Sequence, residues 1–303
     1  MSCKSSSMGL NELLWQICFN CIIKTKLMKI KEIYLISILV FIFLVLLIPD
    51  RFIEPETGNT ILTIGTFLFG LLAGFYIVVT TTDYNNLKSI LAKETASWDC
   101  LYKNMRTYNK ETAAKLSNLV DEYVQRNFDY ELLEVINGTA EEFKRVEKIM
   151  EDMPIIPDKQ STHQVILGNV DDLRNARQQQ NALLRKALSA FQWIVLISTA
   201  TLVIWSLFGL RTGALFFDAV TVLISSSIVL ILLLIRDIDL YLWNEKFGFD
   251  IFEDLLKNIG KLPYYPSVLI DKGRLKPKES EYRVGVYKNF PQSLEKTIEI
   301  IKN

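Results

Sequence analysis

The chain has 303 residues, half of them hydrophobic, with 34 basic residues balanced by 34 acidic ones and a positive mean hydropathy. Zero net charge leaves no footprint for a nucleic-acid partner, and so apolar a chain reads as a membrane protein with a sizeable water-soluble portion. The four cysteines, Cys3, Cys18, Cys21 and Cys100, are too few for a disulfide framework, and Cys18 and Cys21 have CxxC spacing with no histidine following to complete a metal site.

Residues 1–32 form the first segment. Leu10, Leu13, Leu14, Ile17 and Ile22 make a helical stripe, and Lys24, Lys26, Lys29 and Lys31 follow it. An amphipathic helix with lysines just before a span predicts an interfacial helix on the cytoplasmic surface, or a packed helix in an oligomer. Residues 33–80 hold two spans. Ile33–Ile48 is short for a bilayer but is flanked by lysines that can snorkel. Ile61–Thr80 is a charge-free run of spanning length.

The second span is not a plain anchor. Gly70 and Gly74 form a GxxxG pair, which permits close backbone approach, and threonines recur at Thr63 and Thr66 and again at Thr80–Thr82. Phe67, Leu71 and Phe75 fall at i, i+4 and i+8, on one helix face. Bulky apolar groups with hydroxyls at either end suit a pore with a hydrophobic constriction. The same pattern also suits a helix whose small residues pack against its neighbours, and both readings stand at this point.

Residues 81–190 carry no span and read as cytoplasmic helices. Leu87, Leu91, Trp98, Leu101 and Met105 make one apolar stripe, with Glu94 falling on it; Leu116, Val120, Tyr123 and Val124 make the next. Thr139 and Glu142 match a capping box ahead of a helix that Pro154 and Pro157 terminate. From about Thr162 a helical pattern carrying Arg177 runs straight into the third span. Charges are seldom buried unpaired, so Glu94 and Arg177 are expected to pair where their helices pack.

Residues 191–235 hold the third and fourth spans, joined by only Arg211-Thr212-Gly213, so they form a helical hairpin. Asp218 lies about a turn inside the fourth. An acid there either reaches the surface or pairs with Arg211, or it handles ions. Residues 236–303 read as a cytoplasmic tail, with an aromatic helix around Tyr241, Trp243 and Phe252 and an amphipathic helix from about Gln292. Lysine and arginine counts place both termini in the cytoplasm. The fold class expected is an all-α membrane protein with four transmembrane helices and long helical cytoplasmic extensions. Catalysis finds no support. His163 is the single histidine, and no phosphate-loop, serine-hydrolase or zinc-protease motif is present. No catalytic residue, metal or cofactor is expected.

Gly74-Phe75-Tyr76-Ile77-Val78-Val79 resembles the Gly-Phe-Tyr-Val stretch in the second segment of the bestrophin family. Ala92-Lys93-Glu94-Thr95-Ala96-Ser97-Trp98, with Leu101-Tyr102 after it, the arginine-bearing helix into the third span, and the Asp-rich exit of the fourth resemble the prokaryotic bestrophin-like type. The resemblance covers roughly residues 30–250. It implies an oligomeric channel, pentameric in bestrophins, in a prokaryotic plasma membrane, with the bilayer and inorganic ions (chloride or monovalent cations) as partners. It also implies that Phe67, Leu71 and Phe75 form the neck, with Thr63 and Thr66 lining the vestibule outside it. The chain departs from the family at Thr80-Thr81-Thr82-Asp83-Tyr84, where the bestrophin exit is Trp-rich. It also lacks a neck proline and an acidic calcium clasp after the fourth span. The rival expectation is a membrane-anchored sensor or scaffold without a pore, with the same three side chains packed inside the subunit.

Overall fold

Pro55 opens the longest helix of the molecule, α2 (Pro55–Tyr108), and Asn109 ends it. Proline suits a first helical position, where its missing N–H has no partner to lose. Asn109 adopts an extended backbone, and its side chain accepts hydrogen bonds from the Glu111 and Thr112 N–H groups at 2.9 and 3.2 Å, which starts α3 (Lys110–Asn127). The computed structural model describes residues 30–130, 134–185, 188–241, 246–271, 275–290 and 293–302. The expected stripe from Leu10 to Ile22, the Cys18–Cys21 pair and Trp243 lie outside the described residues.

The chain divides into two compact units. The first comprises residues up to Thr81 together with Leu188–Leu240. It contains α1 (Ile30–Leu47), the first part of α2, α7 (Ala190–Gly209) and α8 (Leu215–Asp239). Phe69, Ala73 and Tyr76 of α2 pack against Leu196, Ala200 and Val203 of α7 and Ile228 and Ile235 of α8. Phe41 of α1 packs with Phe208 and Val222, its ring centroid 6.1 Å from that of Phe208. α2, α7 and α8 are long and apolar enough to cross a bilayer; the apolar part of α1, Glu32–Leu47, is shorter.

The second unit comprises Thr82–Ala187 and Tyr241–Asn303. Its core joins Trp98, Leu101 and Met105 of α2 to Leu116, Val120 and Tyr123 of α3, with Phe143 and Val146 of α5 (Ala140–Glu151), after the short α4 (Val135–Gly138). Ile166, Val170 and Leu173 of α6 (Gln160–Leu184) and Phe252 and Leu256 of α9 (Lys246–Asn258) complete it.

Three expectations are corrected. The helix carrying Arg177 does not run on into the third span. α6 ends at Leu184, and Ser189 starts α7 with a reciprocal capping box to Gln192. The tail does not end in an amphipathic helix. β1 (Tyr264–Pro266), followed by α10 (Ser267–Asp271), pairs in parallel with β2 (Glu281–Tyr287), and β2 pairs antiparallel with β3 (Lys296–Lys302), in register Tyr282↔Ile301. The β-branched run Thr297, Ile298, Ile300 and Ile301 favours the strand. Thr139 does not form the capping box with Glu142. Its hydroxyl donates to Val135 O at 2.7 Å, and Glu142 lies 3.8 Å from the Arg126 guanidinium instead.

Candidate functional site

Within the first unit, α2 has one covered face and one open face. Phe69, Ala73, Tyr76 and Thr80 are buried. Phe67, Leu71 and Phe75 are 68%, 56% and 58% exposed, and Thr63, Thr66, Gly70 and Gly74 share the open side. A Cβ added at Gly70 or Gly74 would meet no atom within 4 Å, so among the described residues no helix of the same subunit packs closely on the GxxxG pair. Both glycines, with Thr66, Val203, Ile228 and Ile231, line an apolar cleft of about 600 Å³. The Thr63 hydroxyl donates to Asn59 O at 2.8 Å, so its oxygen presents lone pairs outward. Such a face offers apolar side chains beside acceptor oxygens, and no charge between Thr63 and Phe75.

Arg211 organises the end of the unit where α7 turns into α8. Its side chain is 2% exposed. It donates to Val45 O at 2.7 Å and Ile48 O at 2.5 Å, the open carbonyls at the end of α1. Its guanidinium also lies 3.1 Å from Asp50, 3.7 Å from Asp218 and 5.5 Å from the Phe208 ring. Asp218 thus sits in the first turn of α8 beside a cation.

In the second unit Glu94 and Arg177 are both buried, and Tyr123 stands between them. The Tyr123 hydroxyl donates to Glu94 Oε1 at 2.5 Å and accepts from Arg177 Nη1 at 2.8 Å. Gln180 Nε2 donates to the other Glu94 oxygen. Arg177 also donates to Thr139 Oγ1 at 3.1 Å and to Ile136 O at 2.9 Å. Burial pushes the Tyr123 phenol far above its ordinary range, and the Glu94 charge adds to that. The sequence reading does not place Tyr123, Thr139 or Gln180 in this network. The readable signal was Tyr123 and Gln180 lying on apolar stripes, where a polar group needs a partner.

Among the described residues no cluster of histidine, cysteine and acid side chains could hold a metal ion. A family model described as a bestrophin-like domain matches residues 33–240. The crystal structure of a bacterial bestrophin homologue from Klebsiella pneumoniae is similar at 12% identity, covering 78% of this chain and all of that one, with a TM-score of 0.54. A variant of that homologue with one isoleucine replaced by threonine matches at 11% identity, over 76% of this chain and 99% of that one, with a TM-score of 0.55. At such identities the likeness is one of fold. No curated protein matches the chain.

Proposed function

The chain belongs to the bestrophin-like family, a family of ion channels, and from that premise we propose that it is an oligomeric ion channel whose pore is lined by α2. Phe67, Leu71 and Phe75 of each copy form a hydrophobic neck. A ring of such side chains holds water weakly, so a small change in width switches the path between wet and dry. Thr63 and Thr66 line the vestibule on the outer side, and both termini lie in the cytoplasm of a prokaryotic plasma membrane. The subunits surround one axis, as a pentamer in the bestrophin manner.

One observation carries this reading: the three neck side chains are exposed in the single chain. A scaffold without a pore would bury them against the subunit's other helices. An exposed apolar face of this size needs lipid, another copy or a shared cavity against it. Arg211 supports the assembly by holding the end of α1 to the α7–α8 turn.

The test is flux through the purified protein in liposomes, with chloride and potassium gradients applied separately. Flux of either ion is expected, and the reversal potential identifies the selected ion. A folded, oligomeric protein that passes neither ion under any gradient would overturn the channel reading in favour of the scaffold.

A further inference from the structure

The apolar cleft of the first unit is long and narrow. Its α2 wall runs from Leu62 to Ile77, and Val203 of α7 and Ile224 to Ile231 of α8 form the other side. At the rise of an α-helix that wall is roughly 22 Å long, most of the depth of a bilayer's hydrocarbon core. A volume of about 600 Å³ over this length leaves a cross-section of roughly 27 Å². A helix with its side chains is about 10 Å across and would need roughly 80 Å². An extended methylene chain, whose carbons meet their neighbours at about 4 Å, fits.

The lining agrees with that occupant. It carries no charge, and its only side-chain polar groups are the hydroxyls of Thr66 and Ser227. The Ser227 hydroxyl donates to Leu223 O at 2.8 Å, so it asks nothing of an occupant. Glycine in a helix interior is destabilising relative to alanine, so each one calls for a reason. Gly65 has one within the subunit, because a Cβ there would stand 3.2 Å from Val203 Cγ2. At Gly70 and Gly74, both on the cleft wall, a Cβ would meet nothing in the described chain.

Each of these two glycines directly precedes a side chain of the proposed neck, Gly70 before Leu71 and Gly74 before Phe75. Successive residues stand about 100° apart around a helix, so the cleft and the neck occupy adjoining flanks of one stretch of α2.

We propose that the cleft is a binding site for one acyl chain of a bilayer phospholipid, and that the seated chain holds the neck in position. The seat follows from the shape and lining of the cleft, and its effect on the neck rests on the channel reading above. The chain touches the backbone at Gly70 and Gly74, with no Cβ between. When it leaves, the lining loses those contacts and α2 settles toward the cleft, taking Leu71 and Phe75 with it.

The test uses the full chain in phosphatidylcholine vesicles that contain a small fraction of phosphatidylcholine bearing a photoreactive diazirine in mid-chain. Adducts are located by peptide mass spectrometry after illumination. They should concentrate on residues 66–74 and 224–231, several-fold above the exposed α1 face around Leu39 and Phe43. Gly70→Leu combined with Gly74→Leu fills the cleft from within, where there is room, and should lower labelling to the α1 level. Adducts spread evenly over cleft and α1 would mean bulk lipid only. Adducts on α1 but none in the cleft would mean that a neighbouring copy fills it. Either pattern overturns the site, whether or not the variant folds. Flux in the same vesicles reads the effect on the neck. Flux per oligomer should differ several-fold between short-chain and long-chain phosphatidylcholine, and the double variant should lose most of that dependence. A response to bilayer thickness alone would survive in the variant, and that result overturns the coupling. An unaltered protein that conducts nothing overturns the channel reading and the coupling with it, while labelling still decides the acyl-chain site.

Discussion

Lys296 Nζ lies 2.6 Å from Asp129 Oδ1, with side-chain exposures of 14% and 0%. The pair joins the first residue of β3 to the segment just after α3. Tyr287 adds a second donor to the same carboxylate at 2.6 Å, and the Lys296 ammonium lies over the Tyr264 ring at 5.0 Å. Eight residues before Asp129, Arg283 of β2 forks onto both oxygens of Asp121 of α3 at 2.7 and 2.6 Å. Two buried acids therefore clamp the three-stranded sheet onto α3. A buried ion pair contributes little net stability when intact, but losing one member leaves the other charge stranded.

That asymmetry gives the first prediction. Asp129→Ala strands Lys296 and strips a partner from Tyr287. The expected cost is roughly 3 kcal/mol in the second unit. Amide hydrogen exchange is the sensitive readout, because local opening of β3 precedes global unfolding. Exchange over residues 296–302 should accelerate while the buried amides of α6 hold. Unchanged protection in β3 would show that the sheet is held without the clamp.

The sheet also sets an alkaline limit. Burial pushes the phenols of Tyr123, Tyr264, Tyr265 and Tyr287 upward from their ordinary value. Each folded-state pKa then lies above its unfolded value, so between the two the folded state holds more protons. These phenols contribute stability fully below about pH 10, and that contribution is lost as pH rises further. Lys296 works in the opposite direction. Burial depresses its ammonium, so its contribution improves as pH rises toward the ordinary lysine value. Four phenols outweigh one amine. An alkaline titration followed by tyrosinate absorbance and far-UV circular dichroism should show the buried phenols ionising together with loss of helix. Full tyrosinate absorbance with intact helix would contradict it.

Glu94 and Arg177 illustrate what was legible in the sequence and what was not. Each interrupts an apolar stripe, which was enough to place both side chains in the interior. That they meet through Tyr123 was hidden, because the third partner comes from a helix whose packing angle no spacing reveals. Phe67, Leu71 and Phe75 could be put on one face by period alone. Which face of α2 is covered depends on Leu196 and Ile228, which lie far along the chain. Two features of the fold carry signals in the sequence that compete with stronger ones. Ser189-x-x-Gln192 is a capping-box pattern, but it stands directly before an apolar run of spanning length whose helical period continues that of α6. Tyr282, Val284 and Val286 alternate with Arg283 and Gly285 at the period of a strand, and that strand supplied the edge on which β3 pairs.

Tyr123→Phe is the test of the buried relay. It removes one oxygen and leaves the ring in place, so packing against Trp98, 5.2 Å away between centroids, is kept. Glu94 loses one donor and Arg177 one acceptor, each in a site that water does not reach. The expected loss is about 3 kcal/mol, in the range seen when a buried charged network is cut. A thermal melt of the purified protein reads it directly. Glu94→Gln in the Tyr123→Phe background should recover part of the loss by removing the stranded charge. If the double variant is no more stable than the single one, Glu94 is not the group left uncompensated.

The two faces of α2 should respond to truncation in opposite ways. Phe69 sits in the core with Leu196 and Ile228, so Phe69→Ala opens a cavity and should cost roughly 3 kcal/mol or more. Phe67, Leu71 and Phe75 are exposed in the chain, so replacing all three by alanine should change its stability by little more than about 0.5 kcal/mol per site. Conduction should divide the other way. With the neck side chains gone the path stays wet, and liposome flux should rise or lose its gating. Phe69→Ala should lower the yield of folded protein while leaving the flux per assembled oligomer close to that of the unaltered chain. A triple variant that assembles and conducts as the unaltered protein does would remove these residues from the pore, whatever the remainder of α2 lines.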